Sequence, residues 1–174
     1  MRRVVITGFM GAGKTTVGRA LARLLGVAFL DLDDAVAGAE GRTPRELIDE
    51  EGEEHFREAE TRALRRELET GAARVVATGG GAWTFERNRA LVKEHGCLAV
   101  WLDAPYDLCR RRIEEECGGA SERPFARDPA RALALYEERL AAYRTADLRV
   151  RVAPGRGADE LAAEIAAALG AHFD

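Results

Sequence analysis

Val4-Val5-Ile6-Thr7-Gly8-Phe9-Met10-Gly11-Ala12-Gly13-Lys14-Thr15-Thr16 is the stretch that decides the fold. Its first four residues are apolar or β-branched and read as a strand, a glycine-bearing run follows, and from Lys14 the apolar spacing becomes that of a helix. Gly8 to Thr15 spell G-x-x-x-x-G-K-[ST], placed after a strand and opening a helix, the context the pattern needs. The glycines let backbone N–H groups converge on phosphate oxygens, Lys14 reaches the β- and γ-phosphates, and Thr15 offers a hydroxyl to Mg²⁺. An accidental match in a chain of this composition is expected about once in a thousand, so a plain glycine turn before a helix is the weaker reading. The lysine is informative too: the chain has only two, Lys14 and Lys93, among 26 basic residues. Lysine is kept here where a compact ammonium and a guanidinium are not interchangeable.

Outward from this stretch, apolar runs at Val27–Leu30, Arg74–Ala77, Leu98–Leu102 and Leu148–Val152 alternate with amphipathic segments. Such alternation predicts an α/β domain with a largely parallel sheet. Helices are expected at about 14–25, 34–39, 44–51, 53–69, 85–95, 105–115, 129–145 and 158–170. Thr43-Pro44-Arg45-Glu46 combines an N-cap, a proline at the first helical position and the glutamate of a capping box, and Asp128-Pro129 gives a second cap-then-proline start. The length, 174 residues, suits one domain over residues 1–174.

Composition narrows the function. A net charge of −4 argues against a nucleic-acid partner. No apolar run approaches the roughly 20 residues of a membrane span, and the N-terminus lacks a secretory apolar region, so a cytoplasmic protein is expected. Cys97, Cys109 and Cys117 form no C-x-x-C pair and the three histidines are scattered, which disfavours a zinc site or a disulfide frame. A monomer is expected, since no long exposed apolar stripe announces an interface.

Four further places carry candidate chemistry. Asp31-Leu32-Asp33-Asp34 falls where the second strand ends, at the sheet edge where ligands gather. One carboxylate there could support Mg²⁺ and another accept a hydroxyl proton, or the acids could simply complement a helix dipole, as expected of Asp34. In Phe56-Arg57-Glu58-Ala59-Glu60, Arg57 is either a solvated ion-pair partner or a two-pronged grip on a substrate carboxylate, oriented by Glu60 one turn on. Thr78-Gly79-Gly80-Gly81 offers three unobstructed amides suited to an anion, before a helix that Thr84 would cap. This strand ends without an aspartate, so magnesium must lean on Thr15 and Asp31. Residues 116–127 are polar, glycine-bearing and too long for an ordinary connector, which reads as a mobile lid or a surface loop. Arg123 within it could swing over a transferring phosphoryl group.

Taken in order, Gly8-x-Met10-Gly11-Ala12-Gly13-Lys14-Thr15-Thr16, Asp31-x-Asp33, Phe56-Arg57-x-x-Glu60, Gly79-Gly80-Gly81, Arg123-Pro124-Phe125 and Arg139-x-x-x-Tyr143-x-x-x-Asp147 resemble the shikimate kinases. These are nucleoside-monophosphate-kinase-like P-loop enzymes. The resemblance runs over nearly the whole chain. It implies a three-layer α/β sandwich with a five-stranded parallel sheet in the order 2-3-1-4-5, a substrate-binding region at about 32–60 and a closing lid at about 115–127. It implies phosphorylation of the 3-hydroxyl of shikimate by ATP with Mg²⁺, on the route to chorismate and the aromatic amino acids. Catalysis would fall to Lys14, Asp33 and Arg123. The nucleotide would meet Gly11, Ala12, Gly13, Lys14, Thr15, Thr16, Arg123 and Arg156. Asp33, Arg57, Gly79, Gly80, Gly81 and Arg139 would hold shikimate, and Thr15 and Asp31 the metal. Because the P-loop alone names no acceptor, another small-metabolite kinase such as a gluconate kinase is the alternative.

Overall fold

Val4, Val5 and Ile6 are consecutive in a strand, so their side chains leave alternate faces of the sheet, yet all three are fully buried. Both faces are therefore covered, the mark of a sheet sandwiched between helical layers. Burial of each of these side chains contributes roughly 1.5–3 kcal/mol. The computed structural model describes residues 1–116 and 128–171. Strand β1 (Val4–Thr7) is central; β2 (Phe29–Asp31), β3 (Val75–Ala77), β4 (Leu98–Asp103) and β5 (Leu148–Arg151) complete a five-stranded sheet in the order β2-β3-β1-β4-β5. Every pairing is parallel, with Val4 opposite both Val75 and Leu98. The expected sheet order and class hold.

The helices are α1 (Lys14–Leu25), α2 (Leu32–Glu40), α3 (Pro44–Glu51), α4 (Glu53–Thr70), α5 (Glu86–Glu94), α6 (Tyr106–Glu116), α7 (Pro129–Tyr143) and α8 (Ala158–Ala171), with a short 3₁₀ turn at Ala82–Thr84. Helix α1 packs against α8, and α4 against α5. Val36, Leu47, Phe56 and Ala59 form a small second core joining α2, α3 and α4, separate from the main one. The expected capping box is present: Glu46 N donates to Thr43 Oγ1 at 3.2 Å and Thr43 N donates to Glu46 Oε2 at 2.8 Å. Asp128 caps α7 by accepting from Arg131 N at 3.0 Å.

Several boundaries differ from the sequence expectation. Strand β2 starts at Phe29 rather than Val27, because Val27 N is spent closing α1 on Ala22 O, one residue after the left-handed Gly26. Helix α2 starts at Leu32 rather than about residue 34, because Asp31 is its N-cap and accepts from Asp33 N. Thr84 does not cap α5; its hydroxyl closes the 3₁₀ turn on Gly81 O at 2.7 Å, and Phe85 occupies the cap position without a side-chain bond. The expected lid lies almost wholly in residues 117–127, which with Arg123 and Cys117 fall outside the described residues.

Candidate active site

Parallel strands bring the loops after β1, β2 and β3 to one edge of the sheet, and the candidate residues meet there. The P-loop ends at Gly13, whose φ of 96° lies in the left-handed region and allows the chain to enter α1. Lys14 folds back on its own loop, donating from Nζ to Phe9 O at 2.9 Å. Burial lowers its pKa to about 8, against the opposing pull of Asp33 and Asp31. The Thr15 hydroxyl donates to Asp31 Oδ2 at 2.6 Å, while Oδ1 of the same carboxylate accepts from Asp33 N at 3.0 Å. One acid thus joins the P-loop to the start of α2.

A cavity of about 480 Å³ opens over this edge, lined among others by Lys14, Thr15, Asp33, Gly80, Arg112 and Arg156. That volume suits a small-molecule ligand. Arg112, on α6, donates from Nη1 to Gly11 O and Ala12 O, both at 3.2 Å. Arg156 lines the cavity but is tied down by Glu160 and Glu164, both at 2.8 Å, and by Arg151 O.

A second group of charges surrounds the triple glycine, each filling space that a β-carbon would occupy. At Gly79 that atom would stand 2.5 Å from Glu60 Oε1 and 2.9 Å from Asp33 Oδ1; at Gly80, 3.3 Å from Arg139 Nη1; at Gly81, 2.5 Å from Arg57 Nη2. The glycines therefore admit four charged side chains as well as baring their amides. Arg57 donates from Nη1 to Glu60 Oε2 at 2.9 Å, the orientation expected from their spacing, and pairs with Glu53 at 3.3 Å. Arg139 is buried, and no carboxylate among the described residues forms an ion pair with it. Buried cations are normally paired, so this one is suited to an incoming anion.

Asp33 stands between the two groups. Burial raises its pKa, with Asp31 adding to the effect, while Lys14 on the nucleotide side and Arg57 on the glycine side oppose it. Burial likewise raises Glu60, and the charge of Arg57 opposes this. Asp33 Oδ1, Glu60 Oε1 and Arg57 Nε are buried with no hydrogen-bond partner among the described residues. Three such atoms around one glycine loop mark a place where a polar molecule with hydroxyls and a carboxylate would find unspent partners. Asp33 sits on the first turn of α2 rather than in a strand, so its separation from Asp31 comes from the helix start and not from strand alternation. Asp34 is exposed on that turn, as expected of a dipole-complementing acid.

Thr15 and Asp31 offer a hydroxyl and a carboxylate, hard oxygen donors of the kind Mg²⁺ takes while keeping waters and substrate phosphates as its other ligands. Among the described residues no cluster of three or more acidic, histidine or cysteine side chains could hold a metal unaided. The donor set fits an ion that arrives with a nucleotide.

A family model described as shikimate kinase matches residues 10–170. The shikimate kinase of Ruegeria pomeroyi is 41% identical, covering 99% of this chain and 87% of its own. That of Geobacter sulfurreducens is 42% identical, covering 98% and 92%. Among solved structures, a shikimate kinase from Acinetobacter baumannii in complex with shikimate superposes with a TM-score of 0.85 at 34% identity, covering 99% of this chain and 94% of that one. A gluconokinase from Sinorhizobium meliloti shares the fold, with a TM-score of 0.61 at 20% identity over 98% of this chain and 93% of its own.

Proposed function

The chain belongs to the shikimate kinase family and phosphorylates shikimate with ATP, and we propose that the acceptor is the 3-hydroxyl, held by Asp33 between the P-loop and the glycine loop. The observation that supports this most is the pair of guanidiniums, Arg57 and Arg139, set against Gly81 and Gly80, with the unpartnered Asp33 Oδ1 beside them. Two arginines take the carboxylate of shikimate, and the acid beside them takes hydroxyls. Residues about 32–60, with their own small core, form the substrate-binding region of a single domain over residues 1–174.

In this reading the P-loop residues Gly11, Ala12 and Gly13, with Lys14, Thr15 and Thr16, bind the ATP phosphates. Thr15 and Asp31 would hold Mg²⁺, which neutralises charge on the β- and γ-phosphates. Asp33 orients the 3-hydroxyl and accepts its proton as the oxygen bonds to the γ-phosphorus. The bond from that phosphorus to the β–γ bridging oxygen breaks, and ADP leaves with the electron pair. Because the transition state is loose, positioning contributes more than basicity, and Lys14 counters the charge on the phosphoryl oxygens. Arg123 is assigned to the same task from its place in the sequence. Arg156, together with Arg112, faces the nucleotide side of the cavity.

We further infer a cytoplasmic monomer that binds neither nucleic acid nor membrane. The net charge of −4 supports the lack of a nucleic-acid partner, and among the described residues no helix is long and apolar enough to cross a membrane. ADP release measured with shikimate, gluconate or no acceptor tests the function. Turnover with shikimate far above the other two is expected; turnover with gluconate alone would select the other kinase.

A further inference from the structure

We propose that Tyr143 is a positioning residue of the shikimate site, acting through the backbone of the glycine loop. It rests on the functional reading above. The hydroxyl of Tyr143 donates to Gly80 O at 2.6 Å, a long-range bond from the last residue of α7 to the middle of the glycine triplet. The peptide plane that carries Gly80 O also carries the N–H of Gly81, so holding one oxygen fixes the direction of that donor. Neither Gly80 N–H nor Gly81 N–H donates to another described group. The fixed amide adjoins Arg57, whose Nη2 fills the space beside Gly81.

Tyr143 cannot easily turn away. Its residue is 1% exposed, and its ring stacks on Trp101 of β4 with centroids 6.1 Å apart and planes 25° from parallel. It also lies one helical turn after Arg139, whose Nη1 would stand 3.3 Å from a β-carbon on the same Gly80 and whose guanidinium lies against the Tyr143 hydroxyl, so that the phenol holds the clamp as well as the glycine-loop carbonyl. Helix α7 thus delivers a guanidinium and a hydroxyl to one glycine. The register between clamp and amide is set by the helix itself. Burial pushes the phenol up to about 12, so the hydroxyl remains a donor throughout the range in which the enzyme can be assayed.

A merely structural bolt would look different. Trp83 supplies one: its Nε1 donates to Ala142 O at 3.1 Å and to Thr145 Oγ1 at 3.2 Å, tying the end of α7 to the 3₁₀ turn without touching a glycine-loop carbonyl. The two bonds can therefore be separated by mutation.

Shikimate and ATP binding would be measured by calorimetry, with KM and kcat, for the wild type, Tyr143→Phe and Trp83→Phe. Tyr143→Phe keeps the ring and removes one hydroxyl. Its shikimate Kd and KM are expected to rise about tenfold, the affinity equivalent of one well-placed hydrogen bond, with ATP affinity nearly unchanged. Trp83→Phe is expected to lower the melting temperature without that split. Wild-type shikimate affinity in Tyr143→Phe, or equal shifts for shikimate and ATP, or the same shikimate loss in Trp83→Phe, would overturn the proposal. Failure of the wild type to bind shikimate would instead overturn the functional reading on which it rests.

Discussion

Arg57 lies so close to Gly81 that a β-carbon on the glycine would stand 2.5 Å from Nη2 of the guanidinium. The backbone there, with φ −90° and ψ −17°, suits any residue, so this glycine is required for space and not for conformation. Gly81→Ala should therefore fold normally while displacing Arg57 from its bond to Glu60. The two-pronged grip on a carboxylate tolerates little displacement, and KM for shikimate should rise by about tenfold or more with ATP affinity little changed. Steady-state kinetics with each substrate varied separately checks this; unchanged KM for shikimate would remove Arg57 from the site.

Glu60 carries the opposite lesson, that a residue can serve the site at some cost to the fold. It is 0% exposed, and burial raises its pKa against the lowering influence of Arg57, while Asp33 adds to the rise and Arg139 opposes it. A carboxyl whose folded pKa lies above its unfolded value stabilises the fold fully at low pH and loses that contribution as pH rises through the folded pKa. Glu60→Gln mimics the protonated form at every pH. Its melting temperature should match the wild type near pH 4 and exceed it progressively as the pH rises above the normal carboxylate range, while shikimate binding weakens because Arg57 has lost its charged anchor. A stability difference that shrinks with rising pH would contradict the sign.

How much of this was legible in the sequence depended on how local each feature is. The P-loop and the caps at Thr43 and Asp128 were legible because all of their partners lie within a few residues of one another. The ends of β2 and α2 were not. A strand pattern cannot reveal that Val27 N is used to close the preceding helix, or that Asp31 turns the chain into the next one. Arg57, Gly80 and Arg139 could be named as a set only through the resemblance, since nothing local in three distant segments says that they meet. Why the glycine is triple emerged only in three dimensions, where each of its residues faces a different charged side chain. Arg112 on the P-loop carbonyls and Tyr143 on Gly80 were likewise invisible, because both contacts depend on how α6 and α7 dock.

The capping box offers a test of the fold that leaves the chemistry alone. Thr43 belongs to the 32–60 region but is exposed and bonds to none of the residues assigned to shikimate; its side chain and that of Glu46 satisfy each other's backbone amides at the start of α3. Thr43→Ala should cost about 1 kcal/mol, or roughly 2–4 °C in melting temperature for a chain of this size, and leave kcat at the wild-type value. A fall in kcat with no change in melting temperature would mean that this turn acts in catalysis.

On the proposed function, Asp33 brings the acceptor hydroxyl to the nucleotide. Its carboxylate lies among Lys14, Arg57 and the glycine loop with Oδ1 unspent, whereas Asp34, the next residue, is exposed. Asparagine at position 33 keeps the shape but loses the charge and the basicity. The most direct measurement is kcat, with ATP affinity as the control, for Asp33→Asn and Asp34→Asn side by side. Asp33→Asn should lose on the order of a hundredfold or more in kcat with nearly normal ATP binding, and Asp34→Asn should lose almost nothing. Comparable losses in the two variants, or wild-type turnover in Asp33→Asn, would contradict this role.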